Sequence, residues 1–205
     1  MARRADILEM ATLGILAEGP LHGYELRKRL VPVLGALRPL SFGSMYPALR
    51  RLAERGLVDA GDPTPATESM APPLAGKRSR VVYAITADGK EAFAAWVNQS
   101  GPEAWDDEGF AAHLAFFSRT EARVRVRILE GRRSRIEERI ASLRESMSRG
   151  AQRLDSYTLA LQQHGLEGAE REVRWLDELI QAEYRSTDSD AHPSPLDRTT
   201  HMENS

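Results

Sequence analysis

The 205-residue sequence contains no cysteine, so it can form neither a disulfide framework nor a thiolate zinc site. Its five histidines show no metal-ligand spacing such as HxxxH. No apolar run approaches the roughly 18 residues that a membrane-spanning helix needs. Asp6 and Glu9 interrupt the first apolar run, which argues against a secretory signal. The sequence therefore predicts a soluble, cytoplasmic protein without a metal or cofactor.

Charged residues are distributed unevenly along the chain. Residues 1–100 carry 13 basic and 10 acidic side chains, whereas residues 101–205 carry 15 and 20. A weakly basic half followed by an acidic half is typical of a polyanion-binding head joined to a partner-binding body. An excess of three charges also arises by chance, so the charge alone leaves a nucleic-acid ligand open.

The first half of the chain alternates predicted helices and strands. Apolar periodicity predicts helices at about 7–16, 22–31 and 44–55, the second of which stops before Pro32. Residues 57–60 and 80–85 are predicted strands, joined by a proline-rich tip at 62–79. Thr86 is expected to cap a fourth helix. This order predicts a winged helix-turn-helix, a mainly α fold in which the hairpin with the long tip is the wing.

The third predicted helix has the composition of a DNA-recognition helix. Ser44 is expected to be its N-cap, Pro47 lies in the predicted first turn, and Gly56 follows its end. Leu49 and Leu52 share one face, and arginines occupy the other faces. A major groove accepts such a helix, because N-terminal side chains can reach base edges while arginines contact phosphates.

The second half is helical in pattern. Ser118 and Glu121 fit a capping box that opens a long helix. Apolar residues then repeat at two heptad positions, with Gly150 as the exception: Ile136, Leu143 and Tyr157 at one, Ile140, Met147, Leu154 and Leu161 at the other. His164–Gly165 is expected to end this helix, and a last helix carries Ala169, Val173, Leu176 and Ile180. Such a seam must be covered by the last helix, by a second chain, or by both.

These patterns predict three segments. Residues 1–98 are expected to form the winged helix-turn-helix domain, and residues 104–185 a long-helix dimerisation and effector domain. The polar residues 186–205, which include two prolines, are expected to form a disordered tail.

Two short motifs in the predicted winged helix are distinctive when they occur together in one sequence. They are Gly-Tyr-Glu-Leu at 23–26 and Gly-Ser-Met-Tyr-Pro at 43–47, and further matches at ordered spacing run to Gly89. On these residues the chain, over about 5–97, resembles the PadR family of transcriptional regulators. Phe116–Phe117 and Trp175–Leu176 resemble the longer-tailed branch of that family, whose C-terminal helices dimerise the protein.

The resemblance implies a homodimeric repressor that binds an inverted-repeat operator in double-stranded DNA and, in many members, is released by a small molecule. Two features leave details open. The predicted wing tip is longer and richer in proline than is usual in the family, and no motif specifies an effector, for which a small aromatic compound is one candidate.

The candidate DNA-binding residues lie in the second and third predicted helices and in the wing. They are Tyr24, Ser41, Gly43, Ser44, Tyr46, Arg50, Lys77, Arg78 and Arg80. Each has a structural alternative: Ser44 as a cap only, the tyrosines as packing residues, and the wing cations as a solvated hairpin end. Arg51 and Arg55 are expected to be solvated or paired with Glu54.

The candidate effector-binding residues are Trp96, Trp105 and His113, since a flat aromatic ligand can stack on tryptophan. The alternative for each is a packing role, which we favour for Trp96. The candidate dimerisation residues share the apolar seam and are Ile136, Ile140, Leu143, Met147, Leu154, Leu176 and Ile180.

Two other functions remain as alternatives. A winged helix can serve as a protein-interaction module without DNA, although such a module needs no basic wing. An enzyme is disfavoured, because the sequence has no nucleophile–base pair, metal constellation or phosphate-cradling glycine loop.

Overall fold

The computed structural model describes residues 2–34, 42–61, 81–150 and 155–191. The described residues divide into two compact units, the first drawn from Met1–Gln99 and Asp107–Thr120 and the second from Ser100–Asp106 and Glu121–Ser205. This division differs from the predicted segments in one respect, since residues 107–120 follow the predicted boundary but pack within the first unit.

The chain is mostly helical with one small sheet. In chain order the elements are α1 (Ala2–Leu16), β1 (Leu21–His22), α2 (Gly23–Leu34), α3 (Phe42–Glu54), β2 (Val58–Ala60), β3 (Val82–Ile85), α4 (Ala87–Val97), α5 (Pro102–Trp105), α6 (Gly109–Leu114), a 3₁₀ turn (Phe117–Arg119), α7 (Ala122–Gly150) and α8 (Ser156–Ala191). The predicted mainly α winged helix-turn-helix followed by long helices is confirmed.

The sheet is antiparallel, with strand order β1-β3-β2. Val58 pairs with Ile85 and Ala60 with Tyr83, so the two predicted hairpin strands pair with each other. β1 was not predicted, because a two-residue strand has no periodicity of its own; Leu21 pairs with Tyr83. The predicted wing tip at 62–79 lies outside the described residues.

Three predicted helix boundaries are wrong. α1 begins at Ala2 and not near Ile7. α2 continues through Pro32 to Leu34. Pro32 cannot donate to the carbonyl of Lys28, but both residues are exposed near the helix end, where water can replace the missing donor. α3 begins at Phe42, so Ser44 lies inside its first turn and Pro47 in its second, not at the predicted N-cap and first turn.

The end of α3 is where the sequence predicted it. Gly56 has φ +69°, a left-handed conformation that glycine adopts without strain. The Leu57 N–H donates to the carbonyl of Leu52 at 2.9 Å, and the Gly56 N–H donates to that of Ala53 at 3.0 Å. These two bonds are those of a Schellman motif, which turns the chain from α3 into β2.

The hydrophobic core of the first unit surrounds α1, which packs against α2, α3 and α4. The core side chains that are almost fully covered include Leu13, Leu16, Leu26, Leu30, Met45, Leu49 and Leu52. Leu26 and Leu30 come from one face of α2, and Met45, Leu49 and Leu52 from one face of α3. Apolar burial on these faces therefore fixes how the second and third helices lie on the first.

In the second unit α8 packs along α7. Ile136 and Ile140 of α7 cluster with Ala169 of α8, and Leu176 and Ile180 of α8 are also buried. The last helix thus covers the part of the α7 seam that holds Ile136 and Ile140, as one of the predicted alternatives requires.

Among the described residues, the ion pairs between α7 and α8 place the positive charge on α7 and the negative charge on α8. In each, an arginine of α7 contacts an acidic residue of α8, namely Arg125–Glu183, Arg132–Glu172, Arg133–Asp177 and Arg144–Glu170. The partner residue falls earlier in α8 as the arginine falls later in α7, so the two helices run antiparallel. A basic α7 beside an acidic α8 favours this pairing.

Three predictions about the long helices are wrong. Ser118 lies in the 3₁₀ turn and α7 begins at Ala122, so Ser118 is not its cap. His164 and Gly165 lie inside α8, which does not break there. α8 also contains Tyr157 and Leu161, which were predicted on the preceding helix; Leu154 lies outside the described residues.

The two ends of α8 also differ from expectation. At its start the Asp155 carboxylate accepts hydrogen bonds from the backbone N–H groups of Tyr157 (2.9 Å) and Thr158 (3.1 Å) and from the Thr158 hydroxyl (2.6 Å). These bonds, the hydroxyl bond foremost, lower the pKa of Asp155. At its other end α8 reaches Ala191, so residues 186–191 of the predicted disordered tail are helical; residues 192–205 lie outside the described residues.

Candidate nucleic-acid interface

α3 presents one buried face and one polar face. Met45, Ala48, Leu49 and Leu52 are buried. The exposed residues on the other faces are Ser44, Pro47, Arg50, Arg51, Ala53, Glu54 and Arg55. A basic, hydroxyl-bearing helix surface backed by a packed core can lie against a polyanion without unfolding.

The predicted DNA-binding residues of α2 and α3 lie near the starts of these helices. Tyr24 is the second residue of α2 and is half-buried. Gly43 and Ser44 are in the first turn of α3. Tyr46 is half-buried and packs against the core, which supports a packing role for its ring. Ser41, Lys77, Arg78 and Arg80 lie outside the described residues.

Arg50 differs from the two other arginines of α3. It is exposed and makes no ion pair among the described residues. Arg51 and Arg55 both pair with Glu9 of α1. Both residues are exposed, in agreement with the predicted solvated position, but the carboxylate with which they pair is Glu9 and not Glu54.

Glu9 is the functional candidate that sequence reasoning missed. Its carboxylate is 3% exposed, although it is the one acidic residue in the mostly apolar part of α1 from Ile7 to Leu16. In the sequence this residue argues only against a signal peptide. The sole further sequence signal is the spacing of Arg51 and Arg55, which places two cations four residues apart on one side of a helix.

Thr86 joins the base of the hairpin to α4. Its hydroxyl accepts from the Gly89 N–H at 3.0 Å, as predicted for an N-cap, and donates to the carbonyl of Gly56 at 2.8 Å. The Thr86 N–H donates to the carbonyl of Leu57 at 3.1 Å. The turn after α3, the end of β3 and the start of α4 are therefore held together.

Two predicted effector residues lie in contact inside the first unit. The rings of Trp96 and His113 stack with centroids 4.2 Å apart, and both residues are buried. Phe93 and Phe116 complete an aromatic cluster, with ring centroids 5.3 Å apart. The His113 Nδ1 lies 3.0 Å from the carbonyl oxygen of Gly109. This arrangement supports the packing role that was favoured for Trp96.

Trp105 belongs to the second unit. A Cβ built on Gly131 of α7 would lie 2.6 Å from Cδ1 of the Trp105 indole. The indole therefore packs against the backbone of α7 at a glycine, which supports a packing role for Trp105.

The predicted dimerisation residues fall into two groups. Ile136, Ile140, Leu176 and Ile180 are buried within a single chain by the pairing of α7 with α8. Leu143 and Met147 are half-buried near the end of α7. The first four can therefore support a dimer only by holding the α7–α8 pair together.

Within the described residues, no group of three or more histidine, aspartate or glutamate side chains is placed to hold a metal ion. No helix there is long and apolar enough to cross a membrane.

The chain is similar in sequence to known transcriptional regulators. Residues 12–95 match the model of the family described as "Transcriptional regulator PadR-like family". The negative transcriptional regulator PadR of Bacillus subtilis (strain 168) is 28% identical over 120 residues, which cover 57% of this chain. The match spans 61% of the length of that relative.

Solved structures of the same regulator are also similar to this chain. One is Bacillus subtilis PadR in complex with operator DNA, with 20% identity, coverage of 86% of this chain and 99% of that chain, and a TM-score of 0.39. Another is Bacillus subtilis PadR in complex with p-coumaric acid, with 20% identity, coverage of 86% and 98%, and a TM-score of 0.37.

Proposed function

The chain carries a PadR-like domain of transcriptional regulators at residues 12–95, and on that premise we propose that it is a sequence-specific, double-stranded DNA-binding repressor. In this proposal residues 1–98 bind DNA and residues 104–185 form a homodimer. The protein acts in the cytoplasm, and it is a regulator with no catalytic activity of its own. The repressor role is supported by the negative regulator that is 28% identical to this chain over 120 residues.

One observation carries the DNA-binding proposal, namely the position of Arg50 on α3. Arg50 is exposed on the helix that follows α2 in the helix-turn-helix, about one and two-thirds turns after the exposed Ser44. A guanidinium there can bind a guanine edge or a phosphate, while the first turn of α3 contacts the neighbouring backbone. In a dimer two such helices read half-sites about 34–36 Å apart, one turn of duplex.

The test begins with selection of bound fragments from genomic DNA by the purified protein. Arg50→Gln is then expected to weaken binding to a selected fragment by about tenfold. Glutamine cannot make the bidentate contact that arginine makes with a guanine, and such a contact is worth about 1–3 kcal/mol. It is also expected to make the slope of log K against log salt shallower by about 1. Fluorescence anisotropy at several salt concentrations measures both quantities.

Arg171→Gln is the matched control, since it removes the same charge from an exposed position on α8. It is expected to change affinity less than twofold. Equal losses in the two variants would contradict the assignment of α3 as the recognition helix. A wild-type protein that selects no fragment at low salt would contradict DNA binding and favour the interaction-module alternative.

The homodimer proposal is supported by apolar residues that α8 leaves exposed. Tyr157 and Leu161 are 87% and 71% exposed, and Trp175 is 41% exposed. At about 100° per residue these three side chains fall within about 40° of one another around the helix. Soluble proteins rarely expose such a stripe without a partner. We therefore place this face of α8, and not the buried seam, at the contact between two chains.

Leu161→Glu is expected to raise the dissociation constant of the dimer by at least about tenfold, since burying a leucine contributes about 1.5–3 kcal/mol. Gln163→Glu introduces the same charge at an exposed position two residues away and is expected to leave the dimer intact. Sedimentation velocity over a concentration series distinguishes the two. A dimer of unchanged strength in Leu161→Glu would place the interface elsewhere.

Release by a small aromatic effector is the last part of the proposal. Trp96 and His113 are the candidate contacts, and an aromatic compound would have to open their stack to reach either ring face. Trp105, packed on Gly131, is a weaker candidate because one face of its indole is covered by backbone.

A further inference from the structure

Glu9 is the buried carboxylate of the first unit over its described residues. Its two oxygens accept from two different arginines of α3. The Nε of Arg51 lies 2.5 Å from Oε1, and Nη1 of Arg55 lies 2.9 Å from Oε2. A buried carboxylate is costly unless its oxygens are paired and hydrogen-bonded, and these two bonds meet that need.

Both arginine side chains pair with Glu9 and remain partly exposed to solvent. Their side chains are 43% and 53% exposed, so each guanidinium lies at the protein surface and reaches Glu9 from there. Released from Glu9, either side chain could turn into solvent or onto a neighbouring polyanion, because arginine is long and its charge is permanent.

The arginines of α3 therefore form two classes. Arg51 and Arg55 are four residues apart and share the side of the helix that faces α1. Arg50 is rotated by about 100° from Arg51 and is exposed without an ion pair over the described residues. One arginine of the helix is free to bind DNA, and two are engaged by a carboxylate.

We propose that Glu9 is a positioning residue that fixes α3 against α1 and withholds Arg51 and Arg55 from the DNA backbone; this rests on the proposed DNA-binding function. Every cation that meets a phosphate strengthens binding to all sequences alike. A contact of this kind raises affinity and its salt dependence, and it leaves the ratio between a specific and a random site unchanged. Glu9 thereby keeps the general, salt-dependent part of the affinity low.

Glu9→Gln is the direct test, since it removes the charge and keeps the shape. It is expected to strengthen binding to a random duplex several-fold and to steepen the slope of log K against log salt by about 1–2, as one or two arginines gain phosphates. Affinity for a genomically selected fragment is expected to rise by about the same factor, so that the ratio of the two affinities changes less than about twofold. A role in stability alone would not move the slope.

Glu18→Gln is the matched control. Glu18 also accepts from two arginines, Arg29 at 3.1 Å and Arg119 at 3.2 Å, but it is half-exposed and contacts neither arginine that pairs with Glu9. It is expected to leave the affinity for the random duplex and the salt slope unchanged. Hydrogen exchange of the α3 amides, measured on both variants, is expected to speed up in Glu9→Gln only, because only this variant loosens α3.

A second variant keeps the test decisive if Glu9→Gln fails to fold. Arg51→Gln is expected to leave the salt slope of the full-length protein unchanged, whereas Arg50→Gln makes it shallower. Equal slopes in these two variants would overturn the inference. So would a folded Glu9→Gln protein whose affinity for the random duplex and whose salt slope equal those of Glu18→Gln. A wild type that binds no DNA would instead overturn the proposed function itself.

Discussion

Gly89→Ala is expected to lower the free energy of unfolding of the first unit by about 3 kcal/mol. A Cβ on Gly89 would overlap with the carbonyl oxygen of Leu57 and would lie 2.8 Å from Cγ1 of Ile85. The first clash is with backbone, which cannot turn aside as a side chain can. That carbonyl also accepts from the Thr86 N–H, so relief of the clash would break the contact between the turn after α3 and the start of α4.

Gly61→Ala is the matched control in the same unit. A Cβ there would meet only the carbonyl oxygen of Val82, at 3.5 Å, which is an ordinary contact. It is expected to change stability by less than about 0.5 kcal/mol. Urea unfolding at a fixed protein concentration compares the variants with their parent protein, followed by Trp96 fluorescence in a background in which Trp105 and Trp175 of the second unit are replaced by phenylalanine. Equal midpoints would mean that α4 does not approach Leu57 as closely as described.

The parts of the fold that the sequence predicted well have strong local causes. The end of α3 at Gly56 and the cap at Thr86 each need a particular residue type at a particular backbone conformation, and both are confirmed. The apolar face of the last helix, with Leu176 and Ile180, is set by helical periodicity and is likewise confirmed. Such signals lie within a few residues of the feature that they predict.

Two of the wrong predictions came from residues that usually end helices, namely Gly165 and Pro32. Gly165 costs a helix interior about 1 kcal/mol relative to alanine, which is small beside the burial of an apolar face along a long helix. Ala169 and Leu176 lie on the covered face of α8 and keep the helix continuous past Gly165. Pro32 is tolerated for a different reason, since it stands in the last turn of α2.

The pairing of Glu9 with α3 could not be predicted from either helix alone. Glu9 and Arg51 are 42 positions apart, and the arginines have closer acidic neighbours in sequence, such as Glu54. Only the packing of α1 against α3 brings the three charges together. The candidate DNA-facing residues Ser44 and Arg50 were predictable, because exposure on α3 follows from the positions of its buried residues.

Leu176→Ala is expected to lower the free energy of unfolding of the second unit by about 3 kcal/mol. Leu176 is 0% exposed in α8, and removing a buried leucine side chain loses its transfer free energy and leaves a cavity, which together cost about 2–5 kcal/mol. Leu159→Ala makes the same replacement on the same helix where the side chain is 38% exposed, and should cost about 1 kcal/mol or less. Because a dimer is stabilised by concentration, both variants are unfolded in urea at one protein concentration and followed by circular dichroism. If both lost the same stability, α8 would not bury Leu176 against the rest of its own chain, and the seam would have to be covered by the second chain.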